Sequence, residues 1–362
     1  MILKRSSPKV SVLLLNWNGI TYTTKCLDSL LKSSYPNLEI IVVDNGSENE
    51  EGSLLERAYK NKITVIKNKK NVGYAKGMNI AYSYAHSKYV AFVNNDMEFD
   101  REWLSPLVAV LEKDSTIGAC QPKLLNLSRK QYFEYASACG GYVDIFGYPF
   151  ARGRIFTYLE KDKGQYNQIA KISWNGIFMT RRSVLEKIGL FNPIYFNYGE
   201  DMDLSFRMYG AGYSIANVPQ SVVYHFGGGV LKKDMVKKMF FHHRNNIIIL
   251  LINWPWDYLL FVLPIRIAMD IVTIFYYLSV KFTAGSIGIL KAYASLFTLL
   301  PQIFTERKRA QRIIKKQYFS RMPIYKGSVA WQYFIRKKKT FREIIKDDTF
   351  TKFHQHTGYQ RK

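Results

Sequence analysis

The chain is poor in cysteine, with three in 362 residues and none in a CxxC pair. Cys26, Cys120 and Cys139 are odd in number and far apart, which argues against a disulfide framework or a thiolate metal site. They read as buried thiols in a reducing compartment. Acidic residues are also scarce: 28 Asp and Glu stand against 52 Lys and Arg, a formal charge of +24. No long apolar run lies near the start. Val10 to Leu15 is too short for a signal-peptide core and no small-residue cleavage site follows, so the folded part is expected to stay in the cytoplasm.

The basic surplus is uneven. From Glu306 to Lys362 there are 17 basic and 4 acidic residues, a local charge of +13. Such a tail suits nucleic acid, an anionic membrane, or solubility alone. Its position directly after two apolar stretches favours an anionic membrane surface, and no nucleic acid is expected as a partner.

What the chain does contain is a rhythm of buried strands and helices. Val10–Trp17 is a continuous apolar run that stops at Asn16-Trp17-Asn18-Gly19. Leu38–Val43 is a second run, ending in Asp44-Asn45-Gly46-Ser47, and Tyr89–Val93 a third, ending in Asn94-Asn95-Asp96. Helical spacing falls between them at Thr21–Ser34, Glu50–Lys60 and Gly77–Ala85, with a short strand at Thr64–Lys67 and a further helix around Trp103–Glu112. Strands alternating with helices predict an α/β fold with a mostly parallel central sheet, helices on both faces, and all polar strand ends on one edge. From Ile117 the rhythm is lost. Gln131–Gln168 reads as loops and a small antiparallel patch; Lys171–Thr180 reads as a strand, Arg182–Gly189 and Glu200–Gly210 as helices, and Val218–His225 as a last strand before a glycine run.

Lys232–Asn246 predicts a basic helix, and two apolar stretches follow at Tyr258–Val280 and Ala284–Phe304. Each exceeds the about 20 residues that cross a bilayer. In the first, Arg266, Asp270, Thr273 and Tyr277 fall at i, i+4, i+7 and i+11; Lys291, Ser295, Thr298 and Gln302 repeat that spacing in the second. A polar stripe on an apolar cylinder is the pattern of an interfacial helix, and a charge at the bilayer centre costs about 2.5–3.5 kcal/mol. Two interfacial helices are therefore favoured over a membrane-spanning hairpin or a soluble dimer interface.

In open α/β sheets ligands sit beyond the carboxyl ends of the strands, and chemistry-bearing residues gather there. Asp44 can accept a hydrogen bond from a pyrimidine N–H, although an Asp at a strand end is equally a helix cap. Asn71 through Asn79 brings Gly73 and Gly77 to a helix start, where backbone can approach a ribose or phosphate closely. Asp96 offers a hard oxygen to Mg²⁺ or Mn²⁺, and His225 suits Mn²⁺, unless the first sits in a plain Asx turn and the second is structural. Of the cluster Glu200-Asp201-Met202-Asp203, Asp201 is the candidate general base. Glu200 and Asp203 fit a first helical turn, with Arg207 pairing Asp203 one turn on.

These strings, with Gly199 through Arg207, resemble in order and spacing the family 2 glycosyltransferases, and most nearly their bacterial rhamnosyltransferase-like branch. The resemblance covers Pro8 to Gly229. It implies a GT-A fold, the nucleotide-diphospho-sugar transferase architecture, over residues 1–229. A basic connecting helix (230–256), two membrane-associating helices (257–305) and a basic tail (306–362) would follow. On this resemblance Asn16, Asn18, Asp44, Asn71, Gly73, Gly77, Asn79 and Asn95 would line the nucleotide-sugar pocket. Asp96 and His225 would contact the metal and diphosphate, and Asp201 would be the base. The implied activity is inverting transfer of a sugar, rhamnose among the candidates, from a dTDP- or UDP-sugar donor to a lipid-linked saccharide acceptor. That chemistry belongs to surface polysaccharide synthesis at the cytoplasmic face of the membrane. There are departures: Asn94-Asn95-Asp96 replaces the usual Asp-x-Asp, Asn192-Pro193 replaces Asp-Glu, and the Gln-x-x-Arg-Trp string of processive polymerases is missing, so one sugar per acceptor is expected. The competing expectation is a non-catalytic nucleotide- or nucleic-acid-binding scaffold.

Overall fold

The structure, a computed structural model, describes residues 7–134, 137–226, 234–315, 317, 321–346 and 351. The first strand, β1 (Val10–Asn16), sits between β2 (Leu38–Asp44) and β4 (Tyr89–Val93), with β3 (Thr64–Lys67) outside β2; all three pairings are parallel. Because side chains alternate across a strand, β1 needs cover on both faces. Val10, Val12 and Leu14 pack with Leu27 and Leu30 of α1 (Ile20–Leu30), Leu55 of α2 (Glu51–Ala58) and Leu107 and Leu111 of α4 (Leu104–Lys113). Leu13 turns the other way, to Met78 and Ala81 of α3 (Tyr74–Ser83).

The predicted loss of rhythm at Ile117 is corrected here. After β5 (Met97–Phe99) comes β6 (Ile117–Asn126), a ten-residue central strand. Its polar members, Gln121 and Lys123 among them, hide it from a periodicity reading, yet Gln121 is fully buried. A small sheet follows: β7 (Gly141–Asp144), β8 (Pro149–Ala151), β9 (Arg154–Ile155) and β10 (Tyr158–Leu159), each antiparallel to the next. The single strand expected over Lys171–Thr180 is instead two, β11 (Ala170–Lys171) and β12 (Phe178–Arg181), interrupted at 172–177. Strand β12 runs antiparallel between β4 and β6. After α5 (Arg182–Ile188) and α6 (Glu200–Gly210), β13 (Ser214–His225) pairs parallel with β6. The large sheet thus runs β11-β13-β6-β12-β4-β1-β2-β3, with β5 on β13. The glycine run at 227–229 lies outside the described residues.

The basic helix expected to end at Asn246 continues, as α7 (Met235–Asn253). Helices α8 (Trp256–Ser279) and α9 (Thr283–Ile313) follow, both long and apolar enough to cross a membrane. The polar stripe of α8 is turned inward. Arg266 and Asp270 are fully buried and paired at 3.1 Å. Arg266 donates to the Phe146 carbonyl (3.1 Å) and lies 4.0 Å over the Tyr148 ring; Asp270 accepts from Tyr148 (3.2 Å) and Tyr293 (2.8 Å). Leu260, Phe261, Val272 and Phe275 consequently face outward. On α9 the stripe is exposed at Lys291, Thr298 and Gln302, while Ile289, Ala292 and Leu296 are buried. The chain from 321 to 346 docks on the small sheet: β14 (Ile324–Tyr325) pairs with β7, and Phe341 is buried against Tyr142, Phe150 and Tyr166. Residues 316, 318–320, 347–350 and 352–362 of the basic tail lie outside the described residues.

Candidate active site

The parallel register places Asp44 opposite Asn16 at the ends of β2 and β1. Asn16 is fully buried and its amide donates to Asp44 Oδ1 (3.0 Å), Glu51 Oε2 (2.8 Å) and Ser47 Oγ (3.1 Å). Its carbonyl accepts from Thr23 Oγ1 (2.6 Å), and Thr23 in turn accepts from Asn95 Nδ2 (2.8 Å). One chain of hydrogen bonds therefore runs from Asp44 to the residue beside Asp96. Asn18 is exposed with a φ of +47°; its N–H donates to Ser47 Oγ (2.9 Å) and its carbonyl accepts from Glu48 (2.8 Å).

Asn45 clamps the next loop, donating to Asn71 Oδ1 (3.0 Å) and accepting from Val72 N–H (3.2 Å). Asn71 accepts from Gly73 N–H (2.8 Å), which sets the start of α3. Gly73 has a φ of +84°, and a Cβ there would meet the Phe196 carbonyl at 2.5 Å, so only glycine fits. Gly77 lets α3 settle on β1, where a Cβ would meet Leu15 at 2.5 Å. Asn79 is spent on structure: its amide donates to the Phe191 carbonyl (2.8 Å) and its oxygen accepts from the Phe191 N–H (3.1 Å).

His225, at the end of β13, meets Asp96 with Nε2 to Oδ1 at 3.0 Å, while its Nδ1 lies 2.8 Å from Glu134. Burial disfavours charge on the imidazole, but the two carboxylates outweigh it and raise its pKa to about 10. Glu134 is almost fully buried. It belongs to the irregular segment in which the sequence offered no physical pattern.

The acidic cluster opens α6. Asp203 is structural, as the helical spacing suggests: Arg207 holds it at 2.9 Å and caps the Ile188 and Leu190 carbonyls. Asp201 is partly open and accepts from the Met202 N–H at 2.7 Å; burial pushes its pKa up to about 7. Glu200 is pushed well above the usual carboxylate range by burial and then by the Asp201 charge. Its Oε2 has no hydrogen-bond partner. Helix α7 holds the loop before these acids, since Asn245 donates to the Asn197 carbonyl (2.8 Å) and Phe241 stacks on Phe196 at 5.8 Å. Phe196 then accepts from the Tyr74 N–H at 2.8 Å, tying this loop to the start of α3.

Tyr74 joins the two sides. Burial raises its hydroxyl pKa far above the ordinary value, and the fields of Glu200, Asp201 and Asp96 all add to that. Tyr198 feels Glu200 and Asp96 as well, after burial, and rises to about 12. Asp96, paired with His225, and Asp201 thus both act on Tyr74, and Asp44 is linked to the Asp96 end through Asn16, Thr23 and Asn95. Tyr74, Tyr198, Glu51, Thr23 and Glu134 escape sequence reasoning, for their partners lie far along the chain. The three cysteines are free and buried, as expected.

Among the described residues no three His, Cys, Asp or Glu side chains gather closely enough to hold a metal ion alone. With the proton between them displaced, Asp96 Oδ1 and His225 Nε2 would offer an oxygen-nitrogen pair, with Glu134 2.8 Å from the other ring nitrogen. That suits a cation that keeps waters and takes its other ligands from a substrate phosphate.

This architecture is that of the GT-A fold. GalNAc-T7 with UDP, GalNAc and Mn²⁺ is similar at a TM-score of 0.53 and 17% identity, over 70% of this chain and 49% of that one. Mannosyltransferase PcManGT from Pyrobaculum calidifontis, in complex with GDP-Man and Mn²⁺, is similar at 0.50 and 16%, over 92% and 89%. The Glycosyl transferase family 2 profile matches residues 11–189, and that of Glycosyl transferase family group 2 matches 160–304; the chain carries a family 2 glycosyltransferase domain. An uncharacterized glycosyltransferase of Haemophilus influenzae is 29% identical over 60% of this chain and 64% of its own length. O-antigen biosynthesis protein RfbC of Myxococcus xanthus is 28% identical over 61% of this chain and 17% of its own length. The chain therefore spans less than two thirds of either relative.

Proposed function

We propose that the protein is an inverting, non-processive glycosyltransferase. It moves a sugar, rhamnose among the candidates, from a dTDP- or UDP-linked donor to a lipid-linked saccharide at the cytoplasmic face of a membrane, in surface polysaccharide synthesis. The observation that carries this is the 3.0 Å contact of Asp96 with His225 at adjacent strand ends, supported by the effect of both Asp96 and Asp201 on the buried Tyr74 hydroxyl. Nucleotide diphosphates and Mn²⁺ in the fold neighbours support the donor class, and the O-antigen relative supports the pathway class.

Asp44 and the glycine-led start of α3 would hold the nucleoside and its ribose. Asp96 and His225 would hold Mg²⁺ or Mn²⁺, which when bound supplies positive charge to offset the departing diphosphate. Asp201 accepts the proton of an acceptor hydroxyl as that oxygen bonds to the anomeric carbon. The bond from that carbon to the diphosphate oxygen breaks on the opposite face, so configuration inverts. A single carboxylate base is all this displacement needs.

The outward apolar face of α8 gives the membrane reading its form. The middle of the helix is tied to Phe146 and Tyr148 in the turn between β7 and β8, which supports a helix resting on the domain at the membrane surface. Basic residues near an anionic surface add about 1 kcal/mol each. The test is one preparation. An alkaline carbonate wash is expected to release the full chain from membranes, and the released protein with Mn²⁺ is expected to hydrolyse or transfer from one of a UDP-, dTDP- and GDP-sugar panel. Retention after the wash would indicate a spanning hairpin; absence of both binding and turnover across the panel would reject the transferase.

A further inference from the structure

Resting on the transferase reading, we propose that Asn175 is a donor-specificity residue, whose carboxamide reads the hydroxyls of the sugar carried by the nucleotide diphosphate. Asn175 is 1% exposed, and neither its Nδ2 nor its Oδ1 has a hydrogen-bond partner. A buried side-chain amide normally satisfies two donors and an acceptor, and leaving them unmade is costly. Here both ends are unspent in one residue.

Its neighbours are fully committed. Ser173 Oγ donates to the Pro323 carbonyl (2.5 Å), Trp174 Nε1 to the Tyr142 carbonyl (2.8 Å), and the Gly176 N–H to Gln121 Oε1 and Ser137 Oγ (both 3.2 Å). The backbone around Asn175 is therefore fixed by bonds on both sides, and the orphaned amide is not slack in a loose loop.

Position points to the ligand. On the antiparallel register Phe178 pairs with Phe92 and Met179 with Ala91. Moving back from Phe178 runs forward along β4, past Val93 toward Asn94-Asn95-Asp96. Asn175, between Trp174 bridged to Gly141 and Gly176 held by Gln121 and Ser137, thus precedes β12 on the same edge of the sheet as the residues assigned to the metal and diphosphate. A sugar hydroxyl both gives and takes a hydrogen bond, so one hydroxyl pair can answer Nδ2 and Oδ1 together. The break that splits β11 from β12 falls at this residue, and a continuous strand there would spend its neighbourhood on ladder bonds.

The test separates the sugar from the nucleotide. Dissociation constants are measured by calorimetry with Mn²⁺ for UDP, dTDP and GDP, and for UDP-glucose, UDP-GalNAc, dTDP-rhamnose and GDP-mannose. They are compared between the wild type, Asn175→Ala and Asn175→Ser. For the sugar nucleotide that the wild type binds best, Asn175→Ala is expected to weaken binding at least about tenfold, with the matching diphosphate changed less than about twofold. Asn175→Ser, keeping one hydroxyl, should fall between. Without ligand both variants should melt at or above the wild-type temperature, since an unpaired buried amide has been removed. Unchanged sugar-nucleotide binding in Asn175→Ala would overturn the assignment, as would an equal loss for the bare diphosphate or a lowered melting temperature, both signs of a structural role. A wild type that binds none of the diphosphates would instead remove the transferase reading on which this one rests.

Discussion

On the β1–β2 side of the site Asp44, Asn16, Thr23 and Asn95 hold one another in an unbroken chain of hydrogen bonds. Across the site Glu200 Oε2 and both polar atoms of Asn175 are buried with nothing to bond. A satisfied network is rigid and needs no reorganisation when a ligand arrives. Unpaired buried groups carry a desolvation cost that only a ligand can relieve. On the proposed function, the nucleotide side is thus finished in advance, whereas the sugar and acceptor side is completed by what it binds.

The sharpest break of that comparison is Asp201→Asn. A positioned base contributes about 10²–10⁴-fold to rate, so transfer should fall by that factor while donor affinity, set on the finished side, stays near wild type. Full transfer activity in the variant would sink the base assignment. The wild-type pH–rate profile sharpens the same point. Asp201 must be ionised to accept a proton and its pKa lies near 7. The rate of transfer should therefore rise about tenfold per pH unit below that value and level off above it.

Glu134 offers the next test. Its carboxylate lies 2.8 Å from His225 Nδ1, behind the Nε2 that meets Asp96. Outer partners of metal-binding histidines are worth about 10–100-fold in metal affinity. Glu134→Gln should weaken Mn²⁺ binding, read by calorimetry in the presence of UDP, by that factor. Unchanged Mn²⁺ affinity would show that the buried glutamate serves packing alone.

How much of this was written in the sequence follows the same division. Asp44 and Asp96 stand at or just past the carboxyl ends of parallel strands and Asp201 opens a helix, so local pattern alone located all three. Asn79 was legible as a polar residue at a helix start, but its amide is consumed by Phe191, more than a hundred positions away. Glu134 and Asn175 are illegible for a related reason: one is placed by a bond to His225 and the other by the bonds of its neighbours to Gly141, Gln121 and Ser137, all long-range. The central strand β6 is hidden because buried Gln121 breaks the apolar run. On α8 the spacing of Arg266 and Asp270 revealed a stripe but not its direction. That direction is chosen by Phe146, Tyr148 and Tyr293, which no local pattern connects to it.

The smallest expected effect distinguishes two adjacent acids. Burial and then the neighbouring Asp201 charge hold the Glu200 pKa well above its ordinary 4.5, so the side chain keeps its proton to higher pH than a free carboxylate does. An amide is then close to an isostere, and Glu200→Gln should change the rate of transfer by less than about tenfold, against the collapse expected for Asp201→Asn. Stability carries the sign of the same argument. Between 4.5 and its raised folded-state value, Glu200 keeps a proton in the native chain that the unfolded chain has lost. Wild-type stability from this residue is present below that window and falls as pH rises through it. Glutamine has no such slope. The melting temperature of Glu200→Gln relative to wild type should therefore climb as pH is raised from about 5 to about 8. A constant difference across that range would mean that Glu200 is ionised in the native protein, and that the acceptor side holds two charges rather than one.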